Sequence, residues 1–543
     1  MNGPLNLRKS IWLSLGLCVA ILAPRAYLAV HDQGMIWADE IFQTLEPGHR
    51  LAFGYGLVPW EFQFGARSWL LPGLIGGFMK LLAAFGLDHG LGLAIGTKLL
   101  FALGAAVTFY PLLRLAHVMG GTAATLLLGI GAIAFPASLL YSSRALAEVA
   151  CAPLVTWSLW ALWPSELASG SPQGRLDPKS GTTRATARRM AGVGFLLGVA
   201  TVLRYQNVVL LVAFIVIVAA RHSRRGALAL AAGGLAALLV GGLLDWVTWG
   251  RPFQSTIIQL RFNLIWGGGE RWGVSPPSFY LRAMLASNGP ALLVLVLGFV
   301  AGLARTWPVA VPALLFLAIH SVVPHKELRF LYPALPLFLM CAAVGLAVLI
   351  ERARWLRKRP AETAALLAGA LVLVFGLHAR RVTFEDIGQG DQVPGEAGPQ
   401  TRSVWGCLDQ QNRLLADVGG RADLCGLILP DANAYWTGGY SYLRRRVPIL
   451  WPEDPGVART AFSNPRRNIE NQLQQHVPLV ALQDLDAANY ALLSPDQKMG
   501  DPRYQIVGHR GGYALFRRDG SCRPPRDLVR RYGRLRPIGV EVP

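Results

Sequence analysis

Long apolar runs alternate with short polar segments from Ile11 to His378. The runs are Ile11–Val30, Leu91–Leu115, Thr122–Leu140, Ala150–Trp163, Met190–Leu203, Val208–Ala220, Ala227–Leu244, Pro290–Leu303, Val309–Val323, Leu331–Ile350 and Ala361–His378. A helix needs roughly 20 apolar residues to cross a bilayer, so the pattern predicts a polytopic α-helical membrane protein with about eleven spans. Met190–Leu203 and Val208–Ala220 are short for spans and flank the polar Arg204–Asn207. Ile11–Val30 is too long for a signal-peptide core and has no small-x-small cleavage site after it, so it reads as a retained span.

Two loops are unusually rich. Ile36–Pro72 and Asp245–Arg282 both mix tryptophans, glycines and charged residues. Within the first, Glu40–Phe53 predicts a short interfacial helix, with Ile41, Leu45 and Leu51 set against Glu46, His49 and Arg50. Ser68–Phe85 reads as a second interfacial helix or a tilted one. From about Arg380 the apolar runs give way to Pro, Gly and charge. Leu424–Pro430, Arg446–Leu450, Tyr504–Arg510 and Tyr513–Arg518 predict short strands, while Gln472–Leu485 is ambiguous. The expected organisation is a transmembrane domain over residues 1–379 and a small mixed α/β domain outside the membrane over 380–543.

Composition supports the membrane reading: 53% of residues are hydrophobic and 15% charged, against about 25% charged in soluble domains. A net charge of +20 could suggest nucleic acid. Most of the excess lies in short basic loops between apolar runs, which is the positive-inside pattern, so no nucleic-acid partner is expected. Arg8 and Lys9 place the N-terminus in the cytoplasm, and Gly170–Arg189 reads as a flexible cytoplasmic loop. By parity the loops at 36–72, 141–148, 204–207, 245–282 and 325–330 fall outside, with the tail. Cys18, Cys151 and Cys341 fall in apolar runs. Cys407 and Cys425 are candidates for a disulfide that would leave Cys522 over, and free buried thiols are an equal alternative.

The spans carry few ionisable side chains, whereas a carrier would place polar groups near the midplane. Groups capable of chemistry collect instead in the external loops, which favours an enzyme acting on a lipid-carried substrate. Asp39 and Glu40 are the adjacent acidic pair of the first loop. On a helix or turn they point in different directions, so one can act as general base while the other supports it. Capping of the interfacial helix is the open alternative. His325-Lys326-Glu327-Leu328-Arg329 puts three potential cations in five residues, suited to a departing phosphate. Headgroup snorkelling is the alternative there. Arg204, at the break between two short runs, is a second candidate for phosphate. Trp60, Trp69, Trp249, Trp266 and Trp272 can stack on sugars or form an interfacial belt.

At these residues the chain resembles the family-22 glycosyltransferases of the GT-C class. These are polyprenyl- or dolichyl-phosphate-mannose-dependent mannosyltransferases of N-glycan and GPI-anchor assembly, with bacterial relatives. The family's first-loop motif, His-Pro-Asp-Glu-x-x-Gln, a Glu, Thr-Trp-Glu-Trp and Arg-Ser, is matched by Trp37-Ala38-Asp39-Glu40-Ile41-Phe42-Gln43, Glu46, Pro59-Trp60-Glu61-Phe62 and Arg67-Ser68. The late motif His-Lys-Glu-x-Arg-Phe matches His325–Phe330. Phe262-Asn263 and Gly273–Tyr280 match more loosely. The resemblance covers about residues 10–350 and does not extend to the tail.

It implies a GT-C fold, a polyprenyl-phosphate-linked sugar donor, a glycan or glycolipid acceptor and an inverting transfer within the membrane lipids. Asp39 would be the base, with Glu40 in support. His325, Lys326 and Arg329 would hold the phosphate, with Arg204 as a second contact. Glu46, Trp60, Glu61 and Arg67 would position the sugars. No cofactor is required beyond the lipid-phosphate-sugar co-substrate. The sequence shows no metal cluster, although carboxylates can recruit a divalent cation weakly. The expected setting is a bacterial inner membrane, with the active site and tail domain on the periplasmic side. A lipid-linked-sugar flippase, or a GT-C enzyme using arabinose or aminoarabinose, are the alternatives.

Overall fold

A computed structural model describes residues 4–56, 59–63, 65–162, 184–221, 223–389, 403–429, 437–450, 485–493, 499 and 501–523. Among them seven helices are long and apolar enough to cross a membrane, or eight if the bent pair Pro136–Ser142 and Ala147–Leu162 is one span. The chain is a multi-span membrane protein. The eleven apolar runs are gathered into fewer helices. Leu91–Leu115 and Thr122–Leu140 fall largely in one stretch, Gly92–Ala134, interrupted by non-helical backbone at Gly120 and Gly121. Pro290–Leu303 and Val309–Val323 form a single helix, Leu292–Val322, that carries Pro308 and Pro312 inside it. Prolines are tolerated within membrane helices, so a proline-bearing polar gap was a poor sign of a turn. Val208–Arg221 has 14 residues, below spanning length. Most of the loop read at Gly170–Arg189, and Gln472–Leu485 up to residue 484, lie outside the described residues.

Two compact units are distinguished. One comprises Met1–Ala29, Leu99–Leu243 and Leu260–Gly390; the other comprises Val30–Lys98, Leu244–Gln259 and Asp391–Pro543.

The first unit is helical. Helix Leu292–Val322 meets helix Leu335–Arg352 where Gly298 and Gly302 face Gly345. A Cβ on Gly345 would lie 1.7 Å from the Gly298 carbonyl oxygen, so this approach requires glycine. Small residues four apart are the usual means of bringing membrane helices together. A second feature is the break after Ala134. Phe135 is extended and Pro136 has no N–H, which leaves the Ala132 carbonyl without its helical partner. Arg25, fully buried in helix Pro4–His31, supplies the donor. Its Nη2 donates to Ala132 at 3.1 Å and to Ser138 Oγ at 2.8 Å, and its Nη1 to the Ile21 carbonyl at 2.7 Å.

The second unit contains the first loop and a five-stranded sheet. The strands are β1 (Leu427–Ile428), β2 (Ile449–Leu450), β3 (Tyr490–Leu493), β4 (Tyr504–Arg510) and β5 (Tyr513–Arg518), in the order β2-β1-β3-β5-β4. β1 runs parallel to β2 and β3, and β5 antiparallel to β3 and β4. β4 turns into β5 through Gly511 and Gly512, both at positive φ, as a two-residue hairpin turn demands. The disulfide joins Cys425 to Cys522, and Cys407 is not part of it. This corrects the expected Cys407–Cys425 pair: β1 and β5 share one sheet, which brings their flanking residues within bridging distance.

Residues after 403 also brace the start of the first loop. The Gln33 N–H donates to Asp409 Oδ1 at 2.6 Å, and Asn412 Nδ2 donates to the Gln33 carbonyl at 2.8 Å. The Cys407 carbonyl sits against Gly34.

Candidate active site

The first loop's helical run spans Ala38–Glu40, Ile41–Leu45 and Glu46–Phe53, with its middle section a wide π turn. Pro47 accounts for the π turn. It offers no N–H to the Gln43 carbonyl, and its ring would clash there in α geometry. The Glu46 N–H bonds the Ile41 carbonyl instead. Glu46, His49 and Arg50 are buried, so the polar face of this helix is packed rather than left to water.

The adjacent acids take different parts. Glu40 is buried and turns back on its own N-terminus, where Oε1 accepts the N–H groups of Ile36 at 3.0 Å and Trp37 at 3.2 Å. That is the capping role. Glu46 is buried, and its Oε1 accepts the Ser441 N–H at 3.0 Å and hydroxyl at 3.2 Å. Glu61 is buried as well. Asp39 is the acid of residues 36–72 that keeps partial exposure.

Glu61 opens the short helix Trp60–Gln63. Gln43 Nε2 donates to its Oε1 at 3.1 Å, and its Oε2 is buried without a partner. Burial pushes the Glu61 carboxyl up most, Arg67 opposes it, and Asp39 adds to it, bringing it to about 7. Phe62 packs on Trp69 with ring centroids 4.6 Å apart, and Trp69 lies 5.8 Å from Trp249. Trp249 Nε1 donates to the Arg67 carbonyl at 3.1 Å. The loop therefore gathers Asp39, Gln43, Glu61 and Arg67 beside an aromatic wall. Of Trp60 the backbone alone is described, and the Trp272 side chain lies outside the described residues. Trp266 is exposed.

Glu61 predicts a pH dependence. Its folded value lies above the ordinary carboxylate value, so folding takes up a proton as pH falls. The stabilisation is complete below about pH 4.5 and is lost as pH rises through about 7. The loss is at most about 3 kcal/mol. Glu61→Gln cannot ionise. Thermal melting followed by tryptophan fluorescence should show wild type falling relative to Glu61→Gln between pH 5 and 8. Parallel profiles would mean that Glu61 is ionised throughout.

In the first unit the late motif sits against the loop at 273–276. Lys326 Nζ donates to the carbonyls of Ser275 at 2.6 Å, Val323 at 2.5 Å and Pro324 at 3.4 Å. Its three donors are thus committed to backbone, so here it staples two loops and presents none to a phosphate. His325 Nδ1 lies 3.1 Å from the Gly273 carbonyl and Nε2 3.1 Å from Glu327 Oε1. Glu327 binds Arg329 through two bonds, Nε to Oε2 at 2.7 Å and Nη2 to Oε1 at 2.9 Å, and accepts Gln389 Nε2 at 3.0 Å. Burial alone would raise the Glu327 carboxyl. Arg329 and His325 override it and hold the carboxyl well below the usual range.

Arg204 pairs with Glu148, and Arg329 Nη1 lies 3.8 Å from the same Glu148 oxygen. The two guanidinium carbons lie 5.2 and 5.3 Å from the Phe330 ring centroid. Arg204 and Arg329, 125 positions apart by number, are therefore brought together. The roles of Gln389 and Glu148 in this network carried no sequence signal beyond the presence of Glu148 in an external loop. Among the described residues no group of three or more His, Cys, Asp or Glu side chains is arranged to hold a metal ion.

Comparison with known proteins identifies the family and the fold. The model of the Alg9-like mannosyltransferase family matches residues 17–391. GPI mannosyltransferase 3 of Yarrowia lipolytica is 27% identical over 65% of this chain, and that of Drosophila melanogaster 29% over 66%. Mannosyltransferase APTG1 of Arabidopsis thaliana is 28% identical over 60% of the chain. The matches span 66%, 59% and 57% of those relatives' own lengths. Among solved structures, ArnT from Cupriavidus metallidurans bound to undecaprenyl phosphate superposes with a TM-score of 0.58 at 13% identity, covering 94% of this chain and 99% of that one. Its apo form gives the same score over 92% of this chain and 97% of that one. The fold is that of the GT-C glycosyltransferases, and the chain belongs to the Alg9-like mannosyltransferase family.

Proposed function

We propose that this protein transfers mannose from a polyprenyl-phosphate carrier to a hydroxyl of a glycan or glycolipid acceptor, with inversion. The observation that carries the reading is Asp39. It stays partly exposed in a loop whose other acids are buried. A carboxylate in that state can accept the acceptor's hydroxyl proton as the hydroxyl oxygen bonds to the anomeric carbon. The bond from the anomeric carbon to the phosphate oxygen breaks, and its electron pair leaves on the phosphate. Arg204 and Arg329 receive that charge, and stabilising it in a dehydrated setting is usually the largest catalytic contribution. His325 and Lys326 act behind them by shaping the loop. Glu61 and Arg67 position the sugar, with Glu46 holding the helix that carries Asp39.

The relatives' names, GPI mannosyltransferase 3 among them, favour mannose over other sugars. The Cys425–Cys522 disulfide favours an oxidising compartment for the tail, consistent with the periplasmic side of a bacterial inner membrane. The test is purified protein in lipid nanodiscs, incubated with labelled polyprenyl-phosphate-mannose and lipid-linked glycan acceptors. Acceptor-dependent label in the glycan is expected. Label transferred from an aminoarabinose or arabinose donor but not from mannose would reassign the sugar. No transfer from any lipid-phosphate sugar would end the proposal.

A further inference from the structure

Glu327 and Glu148 both face Arg329 but are bound very differently. Glu327 has both oxygens engaged, by Arg329 twice, by Gln389 and by His325. It fixes the Nε–Nη2 edge of Arg329 and has no freedom to leave. Glu148 reaches Arg204 and the Nη1 side of Arg329 through a single oxygen, Oε1. It stands in the first turn of helix Ala147–Leu162, after the break that follows Ser142.

A small cavity opens beside it, lined by Glu148, Arg204, Gln206, Asn207, Phe316 and Phe330. Two buried oxygens in those walls have no partner, Gln206 Oε1 and Asn207 Oδ1. The Asn207 amide is oriented by its Nδ2, which donates to the Ala200 carbonyl at 2.9 Å, so Oδ1 is the atom left over. The Arg204 guanidinium and the two unused acceptors in these walls, with Arg329 on the other side of Glu148, suit a guest with anionic oxygens and hydroxyl donors. The head of a sugar phosphate has both.

We propose that Glu148 is a resident anion that holds the place of the lipid phosphate between Arg204 and Arg329 and competes with it for them. The inference rests on the function proposed above. The donor is a phosphodiester with one negative charge. The lipid product is a phosphomonoester, which carries more than one at neutral pH. Two arginines would therefore hold the product more tightly than the donor, and turnover would stall at release. A carboxylate beside them takes the guanidiniums back and lets the product go. Without it, the two cations would be buried with one anion between them, and a phosphate would supply the missing charge.

The measurement is binding of undecaprenyl phosphate to full-length protein in nanodiscs, by tryptophan fluorescence, for wild type, Glu148→Gln and Glu148→Asp. Gln keeps an oxygen for Arg204 but not the charge. The expected result is at least 10-fold tighter binding in Glu148→Gln, with a burst of about one product per protein followed by slowed turnover. Its melting temperature should be low without ligand and recover with it. If Glu148→Gln does not fold, Glu148→Asp decides. Its shorter reach loosens the hold on Arg329, and roughly threefold tighter binding is expected. Unchanged or weaker binding in the folded variant would make Glu148 a structural ion-pair partner and overturn the inference. Wild type that fails to bind undecaprenyl phosphate at all would overturn the proposed function and this inference with it, whereas wild-type binding without the shift overturns the inference alone.

Discussion

Asp39→Asn is expected to lower sugar transfer by about 10²–10⁴-fold while leaving donor binding within a few-fold of wild type. The range is that of a lost general base. Asn has the shape of Asp but cannot take the hydroxyl proton, so attack on the anomeric carbon must proceed without it. Glu40 supplies the contrast. Its Oε1 is held by the Ile36 and Trp37 N–H groups. Glu40→Gln keeps an oxygen for those groups and should lose far less transfer than Asp39→Asn. Glu40→Ala should cost about 1 kcal/mol of stability, as loss of a cap does. Turnover of labelled donor, read beside donor binding, separates the two residues. Equal loss in Asp39→Asn and Glu40→Gln would mean that the pair acts as a unit and that the base is misassigned. Transfer by Asp39→Asn at the wild-type rate would remove Asp39 from the chemistry altogether.

The sequence made some of this legible and hid the rest for physical reasons. Four of the five strands are readable because Leu424–Pro430, Arg446–Leu450, Tyr504–Arg510 and Tyr513–Arg518 are short apolar or alternating segments between turn residues. β3 was not. Tyr490–Leu493 is four residues long and buried throughout, so it has no polar alternation to mark it. Pro290–Leu303 and Val309–Val323 read as two spans because a run broken by Arg305, Trp307 and Pro308 resembles two helices with a turn, whereas the chain is one helix across them. Base and cap were both open for the Asp39–Glu40 pair in the sequence, and the cap falls to Glu40 because its Oε1 accepts the Ile36 and Trp37 N–H groups. Ion pairing was least readable. Glu148 meets Arg204 across 56 residues and Gln389 meets Glu327 across 62, and no local pattern encodes a contact at that distance. Reading His325–Arg329 as a cationic patch missed that Glu327 neutralises its own neighbour and that Lys326 bonds to backbone.

That neutralisation leads to the second large effect, Arg329→Met. The guanidinium makes two bonds to Glu327 and approaches Glu148, and all three side chains are buried. Removing one partner of such a network leaves a buried carboxylate uncompensated, at a cost of about 3–5 kcal/mol. The sign with pH identifies the cause. In wild type, Arg329 holds the Glu327 carboxyl below its ordinary value, so its contribution is present above the unfolded value and is lost only as pH falls through the folded one. In Arg329→Met the larger of the two opposing groups is gone, and burial opposed by His325 alone is expected to raise the carboxyl above the unfolded value. Its protonated form then stabilises the fold at low pH, and this is lost as pH rises. Arg329→Met should therefore melt closer to wild type at pH 5 than at pH 8. The double variant Arg329→Met/Glu327→Gln removes the stranded charge and should recover much of the melting temperature at pH 8, without recovering transfer, because the phosphate has still lost a guanidinium. A double variant no more stable than Arg329→Met would show that the loss comes from packing around Phe330 and not from the charge left on Glu327.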